Sequence, residues 1–334
     1  MISFEDCVNG ASVTGSAEHV GGFVGLIDSN TNSVTMTISN TINNGNVGGR
    51  GNVGGFVGYI CYNPNMNMTI SNSTNDANVS GASYVGGFIG VISNNPDMNM
   101  TISNSINNGN VTGSDANSRA GGLIGCISSK SINTLTIFNS TNNGIVTGNG
   151  ENVGGFVGYV DCTNTVIIIS NSTNNGNVTS GGNHVGGFVG QIDGQTSLAV
   201  TISNSANNGN VTGGNDVGGF VGFIYSYQTN MDTVISNTTN NGIVTGSGDY
   251  VGGFIGFVSS SSDSGTLTIM NSANKGNVSS TEAMACGLVC VDTEDDNNVK
   301  TTIKNSINKG SVNAATYGYG ITNIITVARN VVSM

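Results

Sequence analysis

The first candidate for a binding role in this sequence is a glycine stretch, Asn52 to Ile60, which reads NVGGFVGYI. Three glycines around a Phe-Val pair occur both in loops that cradle phosphate groups and in kinked strands. A nucleotide-binding loop needs one such motif between a strand and a helix, and no helical pattern follows here. The stretch instead recurs along the chain, so the sequence predicts a scaffold element. Its copies begin at Val20, Val53, Val85, Ala120, Val153, Val185, Val217, Val251 and Ala285.

The titratable residues do not assemble into an active site. His19 and His184 lie five repeats apart, roughly 24 Å at the spacing of neighbouring strands, so they cannot share a metal ion or a proton. We interpret each as a solvated corner residue. The dense acidic run at residues 292–296 lacks the Asp-x-Asp-x-Asp-Gly pattern of a calcium loop. The sequence therefore predicts no catalytic residue, no cofactor and no metal site.

The six cysteines are irregularly spaced, which does not suit a disulfide framework. Cys286 and Cys290 would lie roughly 13 Å apart on one extended strand, too far for a disulfide. We interpret both as packing substitutions.

Composition narrows the function classes further. The chain has 334 residues, of which 8% are charged, and a formal net charge of -11, so it has few cations with which to neutralise phosphates. A nucleic-acid partner is therefore not expected. No run of about 18 apolar residues is present, which predicts no membrane span. The first residues lack the basic and apolar regions of a signal peptide, which leaves a cytoplasmic location open.

The whole chain is one repeated unit. Each unit contains the glycine stretch, a Thr-Ile-Ser run and an Asn-Val-Thr run after an Asn-Gly turn, all of strand character. The pattern predicts an all-β fold, a parallel β-helix (β-solenoid) of about ten coils of roughly 33 residues with three short strands each. We expect this array to cover residues 1–312, and residues 313–334 to form a C-terminal capping or docking strand segment.

Two sets of repeated residues are predicted to stack from coil to coil. Asn-Gly turns are expected to supply the positive φ that corners need. The aromatic column comprises Phe23, Phe56, Phe88, Phe156, Phe188, Phe220 and Phe254. The predicted ladder of side-chain amides comprises Asn40, Asn72, Asn104, Asn139, Asn171, Asn204, Asn237, Asn271 and Asn305, and a second Asn rank follows three residues later, from Asn43 to Asn308.

The other face of the glycine strand is also apolar. Such a face is either buried under the loops or exposed as a strip that another molecule covers. The possible interaction strip comprises Val53, Val57, Tyr59, Val153, Val157 and Tyr159.

Outward Ser and Thr residues suggest a further binding face, as in Thr101 and Ser103. A regular hydroxyl array could bind glycans or ice, although Phe138, Met270 and Lys304 interrupt it at equivalent positions.

The repeats resemble the GLUG-motif family, whose repeats have the form ISNCYNTGNVSG followed by VGGLVGYN. The matching segments here are ISNSTNNGNVT from Ile169 and VGGFVG from Val185. This resemblance implies a scaffold or adhesive module of a cell-surface or secreted protein, with no catalytic residues to transfer. The chain differs from the family in its Phe in place of Leu and its heavier Asn content.

We therefore expect a non-enzymatic structural or adhesive module of an extracellular or cell-surface assembly or fibre. Its partners would be other copies of the chain, another surface protein or a glycan. One alternative is a glycan- or ice-binding module that uses the Ser, Thr and Asn ladders. Another is a polysaccharide-active β-helix enzyme with a site in a variable loop, such as residues 61–67 or 225–232.

Overall fold

A computed structural model describes residues 1–16, 18–28, 33–129, 132–226, 231–260, 265–291, 299–322 and 332–333. In this part of the chain all regular structure is β-strand, and every strand pair is parallel. The chain winds into a parallel β-solenoid of about nine turns, about 33 residues apart. We call each turn a coil. The predicted fold class is confirmed, and the predicted number of coils is close.

Each coil contributes one short strand to each of five sheets, which we number in chain order. The expected three strands per coil was wrong, because the glycine stretch splits into two strands and the Asn pair forms a strand of its own. Sheet 1 contains Ile2–Glu5, Thr35–Ser39, Asn67–Ser71, Met98–Ser103, Ile132–Phe138, Thr165–Ser170, Leu198–Ser203, Met231–Ser236, Thr266–Met270 and Lys300–Lys304. Sheet 2 contains Val8–Asn9, Ile42–Asn43, Thr74–Asn75, Ile106–Asn107, Thr141–Asn142, Thr173–Asn174, Ala206–Asn207, Thr239–Asn240, Ala273–Asn274, Ile307–Asn308 and Val332–Ser333.

The remaining three sheets follow the same order. Sheet 3 contains Val13–Thr14, Val47–Gly48, Val79–Gly81, Val111–Gly113, Val146–Gly148, Val178–Ser180, Val211–Gly213, Val244–Gly246, Val278–Ser280 and Val312–Ala314. Sheet 4 contains His19–Gly21, Asn52–Gly54, Tyr84–Gly86, Arg119–Gly121, Val153–Gly154, Val185–Gly186, Val217–Gly218, Tyr250–Gly252, Met284–Cys286 and Tyr317–Tyr319. Sheet 5 contains Val24–Asp28, Val57–Cys61, Ile89–Ser93, Ile124–Ser129, Val157–Cys162, Val189–Gly194, Val221–Ser226, Ile255–Ser260 and Val289–Val291.

Strands also occur in the predicted C-terminal segment, residues 313–334. Tyr317–Tyr319 pairs with Met284–Cys286 as a further strand of sheet 4. Val332–Ser333 pairs with Ile307–Asn308 in sheet 2. Paired strands of the solenoid therefore extend beyond residue 312.

Two separate apolar clusters fill the interior. The larger one contains the inward residues of sheets 1 and 5 together with the phenylalanines. The predicted aromatic column is confirmed, with neighbouring ring centroids 4.6 Å apart at Phe156 and Phe188 and 5.2 Å apart at Phe220 and Phe254. Leu123 occupies the column position between Phe88 and Phe156. The smaller cluster is a column of valines and alanines from sheets 3 and 4.

A ladder of buried Asn amides runs through sheet 2. It consists of the second Asn rank, from Asn9 to Asn308. In each step the amide nitrogen donates to the Oδ1 of the next coil at 2.8 Å, as from Asn75 to Asn107. The same nitrogen also donates to a backbone carbonyl two residues on, as from Asn107 to the carbonyl of Gly109 at 2.9 Å.

The first Asn rank, from Asn40 to Asn305, does not form this ladder, which corrects the prediction. All nine of its members are exposed, and their φ angles lie between 48° and 53°. They are left-handed corner residues between sheets 1 and 2, a conformation that Asn tolerates better than most residues. A few still bond outside the core, as Asn139 does to Asn104 at 2.7 Å.

The glycines serve close packing and not positive φ, because no described glycine has a positive φ. A Cβ on the Asn-Gly turn glycine Gly109 would strike the carbonyl oxygen of Ala77 in the preceding coil. A Cβ on Gly155 would strike the carbonyl oxygen of Gly187 and the amide of Asn174. The glycine pair therefore makes room for the Asn ladder.

Cys286 and Cys290 form a disulfide, with Cα atoms 5.5 Å apart. The predicted separation of roughly 13 Å was wrong because it assumed one extended strand. The chain instead turns a corner at Gly287 and Leu288, between sheets 4 and 5. The other four cysteines, Cys7, Cys61, Cys126 and Cys162, are not disulfide-bonded.

We predict that Gly155→Ala costs about 1–3 kcal/mol of unfolding free energy or more, because the new methyl group meets backbone on one side and the Asn174 amide on the other. Gly181→Ala is the matched control, since a Cβ there has no neighbour within 4 Å and φ is not positive. This control should be neutral, or stabilising by up to about 1 kcal/mol. Denaturant unfolding of both variants checks this, and equal midpoints would contradict the packing role.

Candidate functional site

The outward faces of the five sheets differ in how strictly they repeat. On sheet 3 the outward positions keep their type, as in the run Thr112, Thr147 and Thr179. On sheet 4 the equivalent run reads His19, Asn52, Tyr84 and Arg119. In a repeat protein, positions that change from coil to coil are free of the demands of stacking. They are therefore where a specific site is expected.

We call the two varied columns that meet between sheets 4 and 5 the corner strip. The strip forms because the chain bends at the glycine pair, which brings the start of each sheet 4 strand beside the middle of a sheet 5 strand. Its sheet 4 column contains His19, Asn52, Tyr84, Arg119, Asn152, His184, Asp216 and Tyr250. Its sheet 5 column contains Leu26, Tyr59, Val91, Cys126, Tyr159, Gln191, Phe223 and Phe257.

Arg119 lies at the centre of the strip between two aromatic rings. Its guanidinium carbon is 4.0 Å from the ring centroid of Tyr159 and 5.4 Å from that of Tyr84. Nη1 also donates to Sγ of Cys126 at 3.6 Å. Burial raises the pKa of the Cys126 thiol to about 11, so this cysteine is a poor nucleophile at neutral pH. The cation–π contacts therefore hold Arg119 flat against the strip.

A chain of side-chain hydrogen bonds continues from Tyr159. Its hydroxyl donates to Oδ2 of Asp193 at 2.6 Å, and Nε2 of Gln191 donates to Oδ1 of the same carboxylate at 2.7 Å. Burial raises the pKa of Asp193, and the two donors act in the opposite direction. Nδ1 of His184 lies 3.2 Å from Oε1 of Gln191. Because that oxygen can only accept, Nδ1 carries the proton.

The chain ends at Asp216, whose Oδ2 is 3.4 Å from Nε2 of His184. Burial lowers the pKa of His184 to about 4. Burial also raises the pKa of Asp216 to about 7, with the carboxylates of Asp249 and Glu151 adding to the effect. Between these values the imidazole is neutral and the carboxyl is protonated. We call the run of contacts from Tyr159 to Asp216 the relay, and its last contact is the 3.4 Å approach of Oδ2 of Asp216 to Nε2 of His184.

Aromatic rings occupy the C-terminal part of the strip. Tyr250 and Phe257 stack with centroids 4.0 Å apart, and Phe223 stacks on Phe257 at 5.7 Å. His184 contacts the edge of Phe223 at 4.8 Å. This part of the strip thus contains four rings in mutual contact, through two stacked pairs and one edge contact.

The predicted interaction strip is only partly on this surface. Tyr59 and Tyr159 lie on the corner strip, separated by two intervening coils. The valines do not, which corrects the prediction. Val53 and Val153 are fully buried in the valine column, and Val57 and Val157 are fully buried beside the phenylalanines. The prediction that these valines share an outward face was wrong because the glycines kink the strand, so its residues no longer alternate between two faces.

Other predicted features are placed as follows. His19 stacks on Tyr59 at 4.7 Å, and the side chain of His184 is only 17% exposed, so His184 is not a solvated corner residue. Phe138 and Met270 interrupt the outward serine column of sheet 1 in register, and Lys304 follows Met270. The acidic run at residues 292–296 and part of the 225–232 loop lie outside the described residues.

The polar groups of the strip make their contacts mainly with one another. Arg119, Tyr159, Asp193, Gln191, His184 and Asp216 each contact a neighbour within the strip. One buried acceptor stands apart, since Oδ1 of Asn152 has no hydrogen-bond partner among the described residues. Such an arrangement joins successive coils.

Sequence reasoning missed the relay of Tyr159, Asp193, Gln191 and His184. The available signal was the variation itself, since these positions carry unrelated polar and aromatic types in successive repeats. Among the described residues, no group of three or more His, Cys, Asp or Glu side chains could hold a metal ion. The same residues contain no helix long and apolar enough to cross a membrane.

We predict that the His184 and Asp216 pair has little net effect on how stability varies between about pH 4.5 and 6.5. The folded state holds one proton on Asp216, and the unfolded state holds one proton on His184. In His184→Gln only the carboxyl with its raised pKa remains, so the unfolding free energy should fall by up to about 1.3 kcal/mol per pH unit as pH rises from 4 to 7. In Asp216→Asn stability should instead rise with pH from 4 to 6.5. Unfolding at a series of pH values checks this, and variants with parallel profiles would contradict it.

Comparison with models of known protein families, with curated proteins and with solved structures found no match for this chain.

Proposed function

We propose that this chain is a non-enzymatic β-solenoid module that serves as a structural and adhesive part of a cell-surface or extracellular assembly. The observation that carries the proposal is the set of ladders that run through the coils. The Asn amides bond in nine consecutive steps at 2.8 Å, and the aromatic column packs beside them. Such ladders make a stiff rod with long regular faces, as a stalk or adhesive module requires.

The corner strip supports a non-enzymatic role. Its acids and bases are bonded to each other, as with Tyr159 and Asp193, and the pKa values of Cys126 and His184 disfavour a thiolate and an imidazolium at neutral pH. A hydrolase needs acid and base groups that converge on the substrate. The resemblance to GLUG-motif repeats points in the same direction.

The disulfide between Cys286 and Cys290 supports the extracellular location. Disulfides persist in oxidising compartments and are rare in the cytosol. It joins sheets 4 and 5 near the C-terminal end of the rod.

We predict that antibodies against this chain label intact cells of the source organism without permeabilisation. Beads coated with the folded protein should also bind to those cells or to their extracellular matrix. Beads coated with heat-unfolded protein at equal density are the control. Label that appears only after permeabilisation, together with equal retention of both bead types, would contradict the proposal.

A further inference from the structure

A polar cleft of about 550 Å³ opens on the side of the rod between sheets 3 and 4, in the first four coils. It arises from unequal loop lengths. The loop from sheet 3 to sheet 4 has two residues in the third coil, residues 82–83, but five in the fourth coil, residues 114–118. The short loop forms a floor and the longer loops around it form walls. A cleft of this volume lies within the usual range for small-ligand sites.

The walls are held in place by backbone hydrogen bonds between coils. The N–H of Asp115 donates to the carbonyl oxygen of Ala82 at 3.0 Å, and the N–H of Tyr84 donates to that of Gly51 at 3.1 Å. The carbonyl oxygen of Glu18 accepts from the N–H of Asn52 at 2.5 Å. The cleft is therefore formed before any ligand arrives, which lowers the entropic cost of binding.

The lining is mostly polar and offers hydrogen-bond donors and acceptors. Glu18 and Asp115 supply carboxylates, Arg50 a guanidinium, and Ser16 and Ser83 hydroxyls. These side chains are exposed except for Ser83, which is half-buried on the floor. Within the described part of the chain, Arg50 forms no ion pair, although two carboxylates line the same cleft. The guanidinium is thus free to donate to a ligand.

The mixture of charges selects the ligand class. A phosphate or other anion would be repelled by two carboxylates and attracted by only one guanidinium. A metal cation would be repelled by the guanidinium of Arg50. A neutral polyhydroxyl ring avoids both conflicts, because its hydroxyls donate to carboxylates and accept from guanidinium and serine hydroxyls. The open mouth allows such a ring to be the end of a longer chain.

We propose that this cleft binds one sugar residue of a neutral glycan, with Glu18 and Asp115 accepting from its hydroxyls and Arg50 and Ser83 donating to it. This inference rests on the proposed adhesive function and identifies neutral glycans as the ligand class that the module binds. The site is distinct from the Ser, Thr and Asn ladders, and among the described coils a two-residue loop adjoins a five-residue loop only here, beside Arg50.

The test uses the full chain and the methyl glycosides of glucose, galactose, mannose and N-acetylglucosamine, with saturation-transfer NMR at millimolar concentration followed by calorimetry. We expect at least one of these sugars to bind. Arg50→Gln and Asp115→Asn should each weaken that binding tenfold or more. Lys309→Gln and Glu282→Gln are the matched controls, because they remove exposed charges outside the cleft, and they should change binding less than twofold.

Three results would overturn the inference. They are no binding by any of the four glycosides, stronger binding of glucuronic acid or free glycine than of the neutral sugars, and sugar binding that Arg50→Gln and Asp115→Asn leave unchanged. If beads still bind to cells while any of these holds, the cleft assignment fails and the adhesive function stands. If the label is intracellular and beads do not bind, the adhesive function fails whatever the sugar result.

Discussion

The interaction on which the rest of the structure depends is the hydrogen bond between buried Asn amides of successive coils. From Asn75 to Asn274 each amide donates to the next coil and to a carbonyl of its own coil, so its donors are used without water. An amide left unpaired in such an interior would cost about 1–3 kcal/mol of stability, so the ladder fixes the register between neighbouring coils. Every coil must place its Asn directly above the last one. Differences in coil length are therefore absorbed in loops.

The ladder also explains the second repeated motif. From Asn43 to Asn274 the amide of each ladder Asn lies against the second glycine of a Gly-Gly pair, as Asn174 does at Gly155, where a methyl group would collide. Two motifs that lie far apart in the repeat, Asn-Asn-Gly and Val-Gly-Gly-Phe, are thus parts of one cross-section. On one side of this contact the phenylalanine column fills the core, and on the other the valine column does. With both columns buried, specific chemistry is confined to outward corners and loops, which is where Arg119, Asp193 and Arg50 lie.

The sequence predicted the class of fold because stacking forces the same residue types to return in every coil. The phenylalanine column was predictable for the same reason, since a large ring has to stack on its own kind. The path of the chain within one coil was not predictable, because the alternation of apolar and polar residues does not show where glycine corners bend the chain. That is why the strand count, the burial of Val53 and Val57, and the disulfide between Cys286 and Cys290 were all misjudged.

The sequence could not show which of the two Asn ranks forms the buried ladder, since both recur equally often. Only the backbone separates them, by placing Asn72 at a left-handed corner and Asn75 in the core. The candidate sites were harder still. The bond from Tyr159 to Asp193 joins residues 34 positions apart, and the cleft at Arg50 depends on loop lengths relative to neighbouring coils. Neither is visible in a single repeat.

The most direct test of the Asn ladder is hydrogen exchange of the Asn side-chain amides, followed by NMR in the native protein. We predict that the side-chain NH₂ groups of Asn75, Asn107 and Asn142 are protected to the same degree as the buried backbone around them. Those of Asn72, Asn104 and Asn139 should exchange far faster, because they lie at the surface. Equal exchange rates in the two ranks would contradict it.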